Sequence, residues 1–153
     1  MQLSRKTLKR LTFGAVLAAV TWLLCSYAVA YRLTRRPLAR CDEPVPEVTW
    51  GRFESLRLST VDGEQIGGWF IDGRPDHPVV LLLHGNGASR SACLPQAEMA
   101  GLVGCSVLMI SLRAHGDSTG ELNDFGYSAR QDVLAAVDWL EHNHPGRPVV
   151  VWG

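Results

Sequence analysis

The sequence has no acidic residue before Asp42 and no charge of either sign between Leu11 and Tyr31. The first absence leaves an opening segment whose only charges are the basic Arg5, Lys6, Lys9, Arg10, Arg32, Arg35, Arg36 and Arg40. The second leaves "LTFGAVLAAVTWLLCSYAVAY", which at about 1.5 Å rise per helical residue is long enough to cross a hydrocarbon core of about 30 Å. Cysteine is scarce: four residues, no CxxC, and Cys25 inside the apolar run. Cys41, Cys93 and Cys105 are widely spaced, which excludes a disulfide framework and a zinc site and predicts buried free thiols. Net charge is absent too, 15 basic residues facing 15 acidic ones, so nothing global points to nucleic acid. Internal repeats and low-complexity tracts are missing, and a 46% hydrophobic content excludes a disordered chain.

Two readings of Leu11–Tyr31 compete. A basic start, an apolar stretch and the small-x-small "AVA" at Ala28–Ala30 would suit a signal peptide cleaved after Ala30 and a secreted product. The run is long for that purpose, and Arg32, Arg35 and Arg36 follow it as a stop-transfer flank would. An uncleaved single-pass anchor in the lipid bilayer is therefore favoured. Its N-terminus is expected in the cytoplasm, because a short tail with four positive charges is hard to translocate. The chain divides into a basic tail (1–10), the apolar segment (11–31), a linker (32–51) that ends in the Pro-containing "CDEPVPEVTW", and a domain from 52 to 153.

Within that domain "RFESLRLST" alternates as a strand, and after "VDGEQ" the stretch "IGGWFIDG" forms a second, giving a hairpin over Arg52–Asp72. "HPVVLLLHG" is a continuous apolar run, as expected of a strand buried on both faces. "GASRSACLPQAEMAGLVG" follows as a helix, with Pro95 tolerable only in the first turn and Gly104 closing it. "CSVLMISL" is a second buried strand, Cys105–Leu112. In "SARQDVLAAVDWLEHNHPG", Ser128 and Gln131 resemble a capping box, while Val133, Val137 and Leu140 share a helical face. "RPVVVWG" is the third buried strand. A hairpin followed by strand–helix–strand–helix–strand makes an α/β sheet with a parallel part.

Ligand sites of such sheets lie outside the carboxyl ends of the strands. "HGNGASR", "RAHGDSTG" and Gly153 occupy those ends. As a dinucleotide loop, Gly85-x-Gly87 is incomplete: Arg90 stands where the third glycine belongs, and Arg113 stands where the next strand should close on an acidic residue. As a P-loop it lacks the Gly-Lys-Ser/Thr end. A better use is an oxyanion hole, since glycines at 85 and 87 let backbone N–H groups approach a substrate closely. His84 then reads as a structural residue that holds the loop.

"VVLLLHGNGASR", "SVLMISLRAHGDSTG", "DVLAAVDWLE" and "PVVVWG", in that order, resemble the N-terminal half of an α/β hydrolase. The similarity is to membrane-anchored bacterial members of the serine aminopeptidase-like and monoglyceride-lipase-like kind. It implies an eight-stranded sheet, with the strand at Arg147–Trp152 beside that at Val79–His84. It further implies acyl transfer by Ser, His and Asp on a small-molecule or peptide substrate, and no cofactor. Asn86, the residue after His-Gly, would donate its backbone N–H to the oxyanion, supported by His84, Gly85 and Gly87. Gly153 looks like the first glycine of the G-x-S-x-G nucleophile elbow, which places the catalytic Ser, Asp and His after it. Arg113, His115, Asp117 and Ser118 are expected to build a turn. The resemblance also leaves room for Asp or Cys in the nucleophile slot. The other function classes are a short α/β protein that binds without catalysing and a nucleotide-binding domain using Gly85 and Gly87.

Overall fold

The computed structural model of the chain describes residues 4–36 and 39–153; the first three residues of the basic tail and Pro37–Leu38 of the linker lie outside the described residues. The described chain separates into a helical unit ending at Thr34 and an α/β unit, Arg35–Gly153. Helix α1 (Arg5–Leu33) contains the whole apolar run and extends beyond it on both sides. Ser4 starts it, its Oγ accepting from the Thr7 N–H at 3.2 Å, which satisfies one of the donors a helix start leaves open. By length and composition α1 can cross a membrane, with a mean hydropathy of 1.9 over its most apolar stretch, and none of its residues is buried.

The α/β unit is one five-stranded sheet in the order β1-β2-β4-β3-β5. β1 (Glu54–Ser59) and β2 (Gln65–Ile71) form the expected antiparallel hairpin, with Leu56 opposite Gly68. β2 then pairs antiparallel with β4 (Ser106–Ile110), while β3 (Val79–Leu83) runs parallel to β4 on one side and to β5 (Val149–Trp152) on the other. Leu82 is level with Met109 and with Trp152.

The alternation of side chains explains why β3 and β4 are apolar throughout. Val80, Leu82, Val107 and Met109 face one layer with Trp69, Cys93, Ala97 and Ala100. Val79, Leu81, Leu108 and Ile110 face the other with Phe70, Ala136 and Leu140. Helix α2 (Leu94–Leu102) covers the first face and α3 (Arg130–Asn143) the second. The crossover from β3 to β4 and the one from β4 back past β3 to β5 run in opposite directions across the sheet and use opposite faces, as crossovers of one hand must. β5 lies at an edge, with Val150, Val151 and Trp152 exposed.

Three expectations need correction. The helix read from Gly87 onwards begins as a short 3-10 turn (Arg90–Cys93), and α-helical bonding starts only at Leu94, because Pro95 has no N–H to donate and suits the first turn. The Ser128–Gln131 capping box does not form. Ser128 Oγ donates instead to Asp124 Oδ2 at 2.6 Å, and α3 begins after Ala129 without a side-chain cap. All four thiols are free, but only Cys93 is buried; Cys25 and Cys41 are exposed and Cys105 is half-buried.

Leu81 is fully buried at the centre of the second face, whereas Leu134 on the outer side of α3 is 52% exposed. Leu81→Ala should cost about 2–5 kcal/mol and Leu134→Ala within about 0.5 kcal/mol, measured by urea unfolding. Equal losses would contradict this assignment of the core.

Candidate functional site

Two turns at the carboxyl ends of β3 and β4 face each other, and two histidines hold them together. His84, at the end of β3, is 7% exposed. Its Nδ1–H donates to the Gly85 carbonyl at 2.8 Å, and Nε2 accepts from the Leu112 N–H at 3.0 Å. Its ring therefore ties the end of β3 to the end of β4. His115 makes the reciprocal tie. Its Nδ1–H donates to the Arg113 carbonyl at 2.9 Å, and Nε2 accepts from the Gly87 N–H at 3.1 Å. The two rings meet edge to face with centroids 5.0 Å apart. Both bonding patterns require a neutral imidazole protonated on Nδ1.

Between the pinned residues lies Asn86. Gly87 supplies a φ of +77°, which lets the chain turn sharply after it. The Asn86 side chain is fixed too, Oδ1 accepting from Asn123 Nδ2 at 2.6 Å. Asn86 is exposed, and among the described residues its N–H meets no protein acceptor, while the Gly87 N–H is already used by His115. A cleft of about 240 Å³ opens here, lined by His84, Gly85, Asn86, Leu112, Leu122 and Phe125 among others. A larger hollow of about 580 Å³ lies by Trp50, Asp72 and Cys105, at the opposite ends of the strands and away from both turns.

Gly153 lies at the carboxyl end of β5, so close to Leu83 that a Cβ on it would stand 3.2 Å from the Leu83 Cβ. The string G-x-S-x-G does occur within the chain, at Gly116–Gly120. Its serine is no exposed nucleophile. Ser118 is 0% exposed, its Oγ donates to the Ser111 carbonyl and accepts from the Gly67 N–H at 2.9 Å.

Ion pairs build the walls around these turns. Arg90, fully buried, holds Asp117 through both carboxylate oxygens at 2.6 and 3.0 Å and reaches Glu43 Oε2 at 3.0 Å. Burial raises the Asp117 carboxyl, but the Arg90 hydrogen bonds and charge outweigh it and leave it below its ordinary range. Arg113 gives Asp132 its backbone N–H, Nε and Nη2 at 2.7, 2.9 and 2.8 Å, and pairs with Asp62 at 2.7 and 3.0 Å. These Arg113 bonds hold Asp62 well below the usual carboxylate range. The sequence named Arg113 and Asp117 but not Asp132, Glu43, Asn123 or a role for Arg90. Only a lone acidic residue in the first turn of an otherwise apolar helix face hinted at Asp132. No group of three His, Cys, Asp or Glu side chains among the described residues could hold a metal ion.

Burial lowers the proton affinity of His84, with the Gly85 hydrogen bond working against it and His115 adding to it. Above a pH of about 6.5, the ordinary imidazole value, His84 is neutral both folded and unfolded. Below that, the unfolded chain takes up a proton that the fold resists, so stability falls as pH falls. Urea midpoints should drop between about pH 7.5 and pH 5. His84→Gln, whose amide can donate and accept, should flatten that drop. An unchanged slope in the variant would contradict the neutral tie.

No family model matches the chain. Lysophosphatidylserine lipase ABHD12 of Rattus norvegicus is 30% identical over 117 residues, which cover 72% of this chain and 29% of that protein. The uncharacterized protein YfhR of Salmonella typhimurium is 30% identical over 112 residues, 70% of this chain and 38% of its own length. Among solved structures, the Pyrococcus furiosus esterase Pf2001 superposes with a TM-score of 0.63 at 29% identity, covering 73% of this chain and 47% of that one. The chain thus spans about a third of these curated relatives and about half of the solved esterase. With a mixed sheet whose parallel strands carry the two facing turns, and with lipases and esterases as its relatives, the chain belongs to the α/β-hydrolase superfamily.

Proposed function

We propose that this chain belongs to a membrane-anchored serine hydrolase that cleaves an ester or amide, and that it contributes the Asn86 N–H as one oxyanion donor. The carrying observation is that donor itself: the backbone N–H of an exposed residue on a turn locked by His84, His115 and Asn123, with no competing protein acceptor among the described residues. A preorganised donor is what the charged oxygen of a tetrahedral intermediate requires, because no reorganisation is needed as charge develops.

The strand register supports the same reading. Because Leu82 is level with Trp152, a chain continuing past Gly153 would run alongside His84 and Gly85. A serine two positions beyond Gly153 would stand level with Gly85, one residue from Asn86. An elbow of G-x-S-x-G type beginning at Gly153 fits there, and its backbone would supply the second donor. The acid and the histidine would follow later in the chain. A nucleotide-binding use of Gly85 and Gly87 is less well supported, since the Gly87 N–H that would face a phosphate is occupied by His115 and Arg90 is buried.

A product that carries such an elbow beyond Gly153 should label with a serine-directed fluorophosphonate, whereas residues 1–153 alone, whose Ser118 is buried, should not. Stoichiometric labelling of that shorter chain would sink the assignment. In the labelled protein, Asn86→Pro, which deletes the N–H, should slow acyl transfer about 10²–10³-fold, while Asn86→Ala, which keeps the N–H and loses only the tie to Asn123, should slow it far less. Equal effects from both substitutions would remove Asn86 from the oxyanion hole.

Membrane attachment rests on α1, whose apolar run is flanked by basic residues on both sides. The protein should stay in the membrane fraction through alkaline carbonate and keep its N-terminal tail. A mature N-terminus at Tyr31 would establish cleavage after Ala30 instead.

A further inference from the structure

The linker that follows α1 takes part in the site. Arg36 donates to three carbonyls of the turn after β4: Nη2 to Gly116 at 2.5 Å, and Nη1 to Ser118 at 3.0 Å and Gly120 at 3.1 Å. Its own N–H donates to the Glu121 carbonyl at 2.9 Å, and the Cys41 N–H donates to Gly116 at 3.3 Å. Two residues further on, Glu43 turns its side chain inward, where it is only 6% exposed.

Glu43 Oε2 touches both turns. On the β4 side it accepts from Ser111 Oγ at 2.5 Å and from the Asp117 N–H at 3.4 Å. It also lies so close to Gly116 that a Cβ there would approach it to 2.0 Å. Gly116 directly follows His115, whose Nε2 holds the Gly87 N–H. On the β3 side Glu43 pairs with Arg90 Nη1 at 3.0 Å, and its backbone carbonyl accepts from Arg90 Nη2 at 3.1 Å. Arg90 ends the loop that carries Asn86, and Ser111 Oγ accepts the Arg90 N–H at 3.0 Å. One carboxylate from the linker therefore bridges the loop with Asn86 and the turn with His115.

We propose that Glu43 is a positioning residue of the hydrolytic site: by clamping Arg90, Ser111 and Gly116 together it keeps His115 Nε2 on the Gly87 N–H and so holds the Asn86 N–H at a fixed place. Its effect on turnover rests on the hydrolase reading above; the clamp does not. A carboxylate that served only to neutralise Arg90 would support the fold without bearing on the turn. One that clamps the turn affects the oxyanion donor, which acts on the transition state more than on bound substrate. Its loss should appear in kcat rather than in KM.

The test uses the natural gene product in detergent, p-nitrophenyl butyrate as probe, and the variants Glu43→Ala, Glu43→Gln and, as control, Glu47→Ala on the exposed part of the same linker. Glu43→Ala should lower kcat ~10–100-fold with KM within about twofold, since small misplacements of catalytic groups cost factors of that order. Hydrogen exchange at the Gly87 amide should speed up ~10-fold or more while amides of β3 stay protected, the signature of a local opening. Glu47→Ala should change neither. If Glu43→Ala does not fold, Glu43→Gln, which keeps the shape and removes the charge, carries the same two measurements with smaller effects of the same sign. Unchanged Gly87 exchange in a folded Glu43 variant would overturn the clamp, and so would a fall confined to KM. Absence of turnover and of fluorophosphonate labelling in the wild type would overturn the hydrolase reading instead, with Gly87 exchange still deciding the clamp.

Discussion

A guanidinium buried to zero exposure is the constraint around which one end of this domain is arranged. Taking an arginine out of water is costly unless its donors are met by acceptors in good geometry. Arg90 finds them for Nη1 and Nη2 in three segments that are far apart in the chain: the linker through Glu43, the end of β4 through Ser111, and the following turn through Asp117; its Nε meets no acceptor among the described residues. Arg57 adds a second positive partner for Asp117 at 2.6 Å, so two arginines face two carboxylates. The Trp69 ring lies under the guanidinium at 4.6 Å and closes the remaining side. Removing either carboxylate would leave buried charge uncompensated, a loss on the order of 3–5 kcal/mol.

That arrangement accounts for a glycine that otherwise weakens the sheet. Gly67 stands inside β2, where glycine normally gives up packing and conformational entropy. A Cβ at Gly67 would come within 2.0 Å of Asp117 Oδ1 and 2.4 Å of Arg90 Nη1, so only glycine leaves room for the pair. Arg113 repeats the design on the other side of the turn, joining the hairpin turn through Asp62 and the start of α3 through Asp132. The turn with His115 is thus held on both flanks by charge-assisted bonds rather than by apolar packing. Rigid support of this kind keeps a loop in a single conformation without giving it a hydrophobic core of its own.

Much of the fold was legible because it rests on short-range pattern. The apolar runs at Val79–Leu83 and Ser106–Ile110, the hairpin turn at Asp62-Gly63 and the long crossovers specify a sheet with a parallel centre, and the resemblance supplied the place of β5 beside β3. What could not be read depends on which distant polar groups meet. Glu43 lies in a Pro-containing linker that looks solvated, yet its carboxylate is buried. Asp124 rather than Ser128 organises the approach to α3, because its carboxylate reaches the Ser128 N–H and Oγ together. The thiols went the other way. Cys41 is exposed because the linker it sits on lies over the domain instead of passing through it.

The strand order also sets a schedule for synthesis. β4 sits between β2 and β3, although both precede it in the chain. As the polypeptide emerges, the hairpin and β3 are complete but are not each other's neighbours, and each waits with an open edge for Ser106–Ile110. β3 waits again on its far side for Val149–Trp152. The Arg90 cluster closes later than its linker, since Glu43 must wait for Asp117, 74 residues downstream. Pairing across such separations is slow because chain closure must precede the contacts that reward it. A nascent chain of this order therefore carries apolar, unpaired strands for a sizeable part of its translation, the state in which strands join the wrong neighbours.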